Sequence, residues 1–317
     1  LSKLTSSFEE NLLDSVNNYS LVIKDKKKLK GIPKDVIEKA KNDAKIQKKT
    51  GWSFSLDFPS YLPLMQYADN RKLRREIYYA YATKASDLSD RATDNTKNID
   101  NILLNKKKLS NLLNFPNYAS MALETKMANS SDEVIKFLKD LASKAKSFAK
   151  KDMSDITEYG HKFDIKNIEA WDIAYLSEKL KEDRFNYSDQ EIKNYFPASK
   201  VIEGLFKVVK NIYGIYIKEV STEVWHPDVK FYKIENSSNE LIGYFYLDLY
   251  ARKNKRGGAW MDEAISKFKF PDDKSFPAAY LTCNFSQPLN QDASLLTHDE
   301  VITLFHEFGH GLHHLLT

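Results

Sequence analysis

The sequence predicts a mainly α protein: a large helical region, then a small antiparallel sheet, then one long helix. Three observations predict it. Apolar residues recur at helical spacing behind capping signals through most of the first 225 residues. Strand-like alternation sets in near Trp225, and a last apolar stripe follows a further capping signal at Thr297. The expected division is a helical region over 1–225 and a small sheet plus terminal helix over 226–317.

In the helical region, Ser130-Ser-Asp-Glu133 and Ser188-Asp-Gln-Glu191 each place a Ser three residues before a Glu. That spacing lets each side chain serve the other's backbone N–H, the reciprocal cap of a helix start. Val134, Ile135, Leu138, Leu141 and Ala142 follow the first as a stripe at helical spacing. Tyr61 to Ala85 and Leu176 to Leu180 read the same way, and Pro33, Pro59, Pro63, Pro116 and Pro197 mark helix starts or the turns before them. Lys24 to Lys30 reads as an exposed basic connection.

The sheet begins with Val229-Lys-Phe-Tyr-Lys-Ile234, which alternates, and Asn236-Ser-Ser-Asn239 is turn chemistry. Gly243 to Tyr250 puts Tyr244, Tyr246, Asp248 and Tyr250 on one face and Phe245, Leu247 and Leu249 on the other. Gly257-Gly258 breaks the chain, and Ala278 to Phe285 is a third strand. Thr297-His-Asp-Glu300 then caps the last helix, with Leu296 and Val301 placed as the hydrophobic staple.

Composition narrows the function classes. The chain has 317 residues, with 42% hydrophobic and 29% charged, enough for one large or two ordinary domains. Seven of its 48 basic residues are Arg, leaving 41 Lys, and the net charge is +4. An Arg-poor surface of mild charge argues against nucleic-acid binding. No apolar run approaches the ~20 residues of a membrane span. Cys283 is the single cysteine, so no intrachain disulfide forms, and a cytoplasmic monomer is expected. The chain starts at Leu1 and stops inside an apolar helix at Thr317, so a piece of a longer protein is expected.

The chemistry concentrates in the last helix, where five of the seven His lie within the final twenty residues. His306-Glu-Phe-Gly-His310 has the His-Glu-x-x-His spacing of zinc peptidases. Residues four apart share one helix face, so both imidazoles can reach a single cation. Glu307 stands beside the first ligand, placed to take a proton from water rather than to coordinate. His298 is about 12 Å away along the helix, too far to join them. His313 and His314 read as helix-end histidines near the dipole's negative end. A catalytic zinc needs a third protein ligand, and nothing upstream supplies one. Cys283, Asn284 and Phe285 on the third strand are the substrate-binding candidates, if that strand is an edge on which an extended peptide can pair. The competing reading is an ordinary internal strand, with Cys283 as a small packed residue.

Gly243-Tyr-Phe-Tyr-Leu-Asp-Leu-Tyr250, Cys283-Asn-Phe-Ser-Gln-Pro288 and Thr303-Leu-Phe-His-Glu-Phe-Gly-His-Gly-Leu-His-His314 together resemble the thimet oligopeptidase family of zinc metallopeptidases, in the form of its bacterial branch. Asp57-Phe-Pro-Ser-Tyr-Leu-Pro63 and Tyr67-Ala-Asp-Asn-Arg-Lys-Leu-Arg-Arg75 extend the likeness toward the N-terminus. The resemblance implies a zincin-like catalytic domain in a helical, two-lobed molecule whose channel admits short peptides. It implies one zinc ion per chain, held by His306 and His310, with Glu307 as general base and a ligand Glu on a helix beyond residue 317. The whole protein is then expected to hydrolyse internal bonds of short peptides, while this chain alone is expected to be inactive or nearly so.

Two other functions compete. Gly258-Ala-Trp-Met-Asp-Glu263 faintly resembles the segment by which zinc aminopeptidases hold a free N-terminus, with Asp where Glu is needed. A metal-free helical module that binds peptides without cutting them is the non-enzyme alternative.

Overall fold

The computed structural model describes residues 1–270, 273–288 and 294–317. In chain order these form α1 (Ser2–Asn18), β1 (Leu21–Ile23), α2 (Lys34–Ile46), β2 (Trp52–Phe54), α3 (Phe58–Tyr67), α4 (Arg71–Ala82), α5 (Thr96–Leu112), α6 (Tyr118–Leu123), α7 (Ser131–Gly160), α8 (Ala170–Phe185), α9 (Asp189–Ile192) and α10 (Ala198–Tyr213). Then come β3 (Tyr216–Glu219), β4 (Lys230–Glu235), β5 (Leu241–Tyr250), β6 (Trp260–Ile265), β7 (Phe268–Phe270), β8 (Asp273–Ser275), β9 (Ala278–Phe285) and α11 (His298–Leu316). The protein is mainly α, as expected.

Two compact units divide it. The first takes Leu1–Ile32, Lys48–Leu56 and Pro63–Leu180, and the second Pro33–Gln47, Asp57–Leu62 and Lys181–Thr317. The second unit therefore starts well before the 225/226 division read from the sequence. The reason is α10, whose Ala198, Val201, Leu205 and Val209 join the sheet's apolar core. A helix reads as part of a helical region until its packing partner is known.

The first unit is organised by a buried charge cluster. Asp172 on α8 accepts hydrogen bonds from Arg71 Nη2 at 2.6 Å and Arg74 Nη2 at 2.9 Å, both on α4. Arg74 lies over the Tyr175 ring at 4.1 Å. Burial alone would raise the Asp172 carboxyl, but these arginines hold it below the usual carboxylate range. The 30-residue α7 differs: Ser130 Oγ caps it by accepting from Glu133 N at 3.1 Å, yet only Gly160 is buried along its length. Pro63 departs from the proline rule, because it sits inside α3 rather than at a start. The continuous helix expected over Tyr61–Ala85 is also split, with Asn70 capping α4 by accepting from Leu73 N.

The second unit holds a five-stranded sheet in the order β3-β4-β5-β9-β6. It is mixed, not antiparallel throughout: β5 and β9 pair in parallel, with Phe245 opposite Ala279 and Leu247 opposite Leu281. The chain leaves β5, forms β6 one place further out, and β9 then returns into the space between, antiparallel to β6. Phe245, Leu247 and Leu249 face the core as the alternation predicts, joined by Ala279, Leu281, Cys283 and Phe285 of β9 and by Leu304, Phe308, Leu312 and Leu315 of α11. Phe308 meets Phe245 edge-on, ring centroids 5.4 Å apart, and Phe206 of α10 lies 6.2 Å away. Edge-to-face pairs such as this contribute ~0.5–1.5 kcal/mol beyond their buried area. The other sheet face carries Tyr244, Tyr246 and Tyr280, with Tyr246 and Tyr280 stacked and Trp225 tilted against Tyr246.

Candidate metal and peptide site

α11 starts where the sequence places it. Thr297 Oγ1 accepts from Glu300 N at 3.2 Å and Glu300 Oε2 accepts from Thr297 N at 2.8 Å, closing the capping box. Leu296 is fully buried and Val301 packs on the same core, completing the staple. Burial pushes the Glu300 carboxyl up, while its backbone hydrogen bonds pull it back down. The box fixes the helix's first turn, and Phe308, Leu312 and Leu315 press its lower face onto the sheet. What remains upward is set by helical geometry.

His306 and His310 are both exposed. Their Nε2 atoms converge to 3.1 Å, with ring planes at 82°. Two nitrogens that each bind one tetrahedral ion at ~2.0–2.1 Å stand about 3.3 Å apart, so the pair is spaced for a shared cation. Glu307, between them in sequence, is only 8% exposed. Among the described residues no hydrogen bond or ion pair engages its carboxylate. Its charge reaches Cys283 beneath it on β9, whose thiol is pushed up to about 12, chiefly by burial and then by Glu307. Gly309 leaves the helix open beside the imidazoles, since nothing lies within 4 Å of where its Cβ would stand.

As a test for zinc, the donor types and spacing fit two of the required ligands. No group of three or more His, Cys, Asp or Glu able to hold a metal occurs among the described residues. Cys283 is excluded as the third because it is 1% exposed and lies in the core below the helix.

The substrate candidates fare unequally. β9 is internal, with β5 on one side and β6 on the other, so it offers no edge to a peptide along Ala278–Thr282. Cys283 and Phe285 turn their side chains into the core, leaving them at most a backbone role in substrate contact. Asn284 faces the other way, and its amide donates to the carbonyls of Arg256 at 2.8 Å and Gly258 at 2.7 Å. It ties the turn before β6 to β9.

The edge strand beside the helix is β6, which sequence reasoning missed. Its signal is weak, since Asp262 and Glu263 are both exposed and a register shift falls between Glu263 and Ile265. His314 is a helix-end residue by its place in the sequence, yet its Nε2 lies 3.1 Å from the carbonyl of Ile265 and its Nδ1 lies 3.7 Å from Glu263. It fastens the far end of β6 to α11. His298 and His313 stay exposed, as expected.

A pair of converging imidazoles on one helix turn, with a carboxylate between them in sequence that no described residue engages, defines the metallopeptidase class of site. Comparison places the chain within that class. A model of Peptidase family M3 matches residues 64–317, and the chain belongs to that family. Oligopeptidase A of Escherichia coli K12 is 46% identical over 322 residues, covering 100% of this chain and 47% of that protein. Oligopeptidase A of Haemophilus influenzae is 42% identical over the same length and coverage. Dipeptidyl carboxypeptidase of Escherichia coli K12 is more distant, 29% identical over 98% of this chain and 46% of its own. The chain thus spans about half the length of the curated relatives it matches.

Proposed function

We propose that the protein to which this chain belongs is a zinc-dependent oligopeptidase that hydrolyses internal bonds of short peptides. The observation that carries the reading is the 3.1 Å convergence of His306 and His310 Nε2, with the Glu307 carboxylate between them in sequence. Zinc, when bound, supplies Lewis acidity to the scissile carbonyl and lowers the pKa of a water. His306 and His310 are the residues that would hold it. Glu307 takes the proton from the attacking water and passes it to the departing nitrogen, so no acyl-enzyme is needed. The open edge of β6 offers backbone N–H and C=O groups to an extended peptide, which strand addition aligns beside the imidazoles.

Short peptides as substrates follow from the likeness to oligopeptidase A, and a cytoplasmic setting fits the same relatives. With no third donor among the described residues, the 317-residue chain alone is expected to hold zinc weakly and turn over peptides slowly or not at all. The third ligand is expected from a Glu on a helix beyond residue 317.

The test is Glu307→Gln in the zinc-loaded protein. Zinc stoichiometry should persist while kcat falls by about 10²–10⁴, the usual contribution of a general base. His306→Ala and His310→Ala should each lose the metal. Full turnover in Glu307→Gln would remove Glu307 from the chemistry.

A further inference from the structure

We propose that His314 is a positioning residue, whose imidazole clamps the end of β6 to α11. The clamp sets the register between a peptide laid on the β6 edge and the His306–His310 pair. It rests on the peptidase reading above and deepens it, by making one side of the scissile bond the side whose length matters.

The helix supplies the alignment. His306, His310 and His314 stand four residues apart, so they form one stripe on α11 with a rise of about 6 Å per step. The first two are exposed and converge. The third has a side chain only 13% exposed and turns to the sheet, its Nε2 3.1 Å from the Ile265 carbonyl oxygen. A carbonyl only accepts, so Nε2 carries the hydrogen and donates it. Nδ1 faces the Glu263 carboxylate at 3.7 Å, beyond hydrogen-bond reach, and a second proton on the ring would make that contact an ion pair.

Close approach lets so short a side chain reach the strand. A Cβ on Gly311 would stand 2.8 Å from Leu281 Cδ2, so its absence lets α11 come down on β9 at this turn. Leu281 pairs with Met261 of β6, and Ala259 and Met261 pack on the core that holds Leu312 and Leu315. By strand alternation Glu263 shares that face, whereas Trp260 and Asp262 point to the other. The groups His314 meets are therefore on the side of the sheet that carries the helix.

This end of β6 has little else to hold it there. Among the described residues β6 is the outermost strand, with β9 on one side only. Its pairing with β9 shifts register between Glu263 and Ile265, which interrupts the ladder. Glu263, Ile265 and Ser266 are exposed, so apolar burial contributes little. Strand ends of this kind open first. His314 catches the backbone just past the shift, and Ser266 Oγ donates to Glu263 Oε1 across it. Ser275 Oγ of β8 donates to the Ser266 carbonyl at 2.7 Å, which holds the following turn to the β7–β8 hairpin. His314 ties the same stretch to the helix of the imidazoles.

A register follows. Helix and strand run the same way, since Gly311 lies over the partner of Met261 and His314 over Ile265. The midpoint of His306 and His310 is six residues before His314, which is about 9 Å of helix or about three residues of strand. A peptide whose scissile carbonyl meets a cation on that pair therefore passes the clamped stretch about three residues away, on one side of the cut only. Loosening the clamp removes partners from that side and leaves the other intact.

The test uses the zinc-loaded intact protein and a peptide of neutral side chains that it cuts once near the middle. The peptide is shortened one residue at a time from either end. In His314→Ala the KM of the longest peptide should rise about 5–30-fold, the weight of one or two backbone hydrogen bonds, while kcat changes by less than about threefold. The rise should vanish once fewer than about three residues remain on one side of the cut, and should not respond to shortening on the other. His314→Gln, whose amide still donates to Ile265, should keep KM within about threefold of wild type. Zinc stoichiometry should match wild type in both variants. Equal rises at every length, an unchanged KM in His314→Ala, a Gln variant as poor as Ala, or loss of the metal overturns the clamp. Affinities of the same peptides for zinc-loaded Glu307→Gln, with and without His314→Ala, are read by calorimetry and need no turnover. If wild type cuts nothing yet these affinities keep the one-sided loss, the peptidase reading fails and the clamp stands. If peptides are cut and the loss is absent or equal on both sides, the clamp fails alone.

Discussion

Two capped amphipathic helices, α7 and α11, make the instructive comparison. Both begin at a Ser or Thr that accepts from a Glu N–H three residues on, and both carry an apolar stripe. On α11 that stripe is buried against β5, β9 and α10. On α7 Ile135, Leu138, Leu141 and Phe148 remain exposed over 30 residues. Caps and periodicity decide that a helix forms and which face is apolar. Only a partner surface decides whether that face stabilises anything, and α11 has one because the sheet's β5 and β9 present Phe245, Leu247 and Leu281 to it. The imidazoles of α11 inherit their fixed positions from this burial.

The largest expected effect tests that difference directly. Phe308→Ala removes a ring that is 2% exposed and wedged against Phe245 and Phe206, and should cost about 3–5 kcal/mol in urea denaturation. Phe148→Ala, at 72% exposure on α7, should stay within about 0.5 kcal/mol. A large loss at Phe148 would mean that α7 has a partner in solution. A longer form of the protein that covers this face should turn the small effect into a large one.

A second contrast uses the two buried carboxylates, Asp172 in the first unit and Asp248 in the second. Each is held below the usual range by two cations despite burial that would raise it. A depressed folded pKa contributes stability that is complete above the unfolded Asp value of ~3.9 and is lost as pH falls from there through the lower folded value. Asp248→Asn should therefore cost about 2–3 kcal/mol at neutral pH, chiefly by leaving Lys255 buried beside a neutral amide. The cost should begin to shrink as pH falls below about 4 and should vanish only below the depressed folded value of Asp248, where the wild-type carboxylate also loses its charge. The Asp172→Asn variant should show the same pH dependence, with Arg74 in the place of Lys255. A variant penalty that does not shrink in acid would show that packing, not charge, is what each carboxylate contributes.

The parts of the molecule legible in the sequence are those whose signals are local. The Thr297 box, the alternation of β5 and β9 and the spacing of His306 and His310 each depend on residues within one turn or one strand. What was missed depends on distant pairing. That β9 lies parallel to β5 rather than at an edge follows from β6 being placed one strand further out, which no stretch of ten residues records. β6 itself escaped notice because an edge strand needs no apolar alternation on its solvent side, and Asp262-Glu263 breaks what alternation there is. The burial of Lys255 was equally hidden, since a lysine three residues past Asp248's arginine partner reads as one more solvated cation in a chain with 41 lysines. Pro63 shows the converse, a local rule overridden inside α3.

The smallest predicted effect lies inside the site motif, at two glycines that a sequence cannot tell apart. Gly309 faces outward beside the imidazoles with nothing within 4 Å of its missing Cβ, whereas the Cβ of an alanine at 311 would meet Leu281 Cδ2 at 2.8 Å. Both lie within α11, where Ala is favoured over Gly by about 0.8–1 kcal/mol. Gly309→Ala should therefore stabilise the fold by about 0.5–1 kcal/mol. Gly311→Ala gains the same propensity but must push back the tip of Leu281, an overpacking cost of about 1–3 kcal/mol, so its net effect should be zero to mildly destabilising. The two urea midpoints, measured side by side, should differ in that order. If Gly311→Ala proves the more stable, Leu281 moves aside freely, and α11 is not pinned to the strand as closely as its geometry requires.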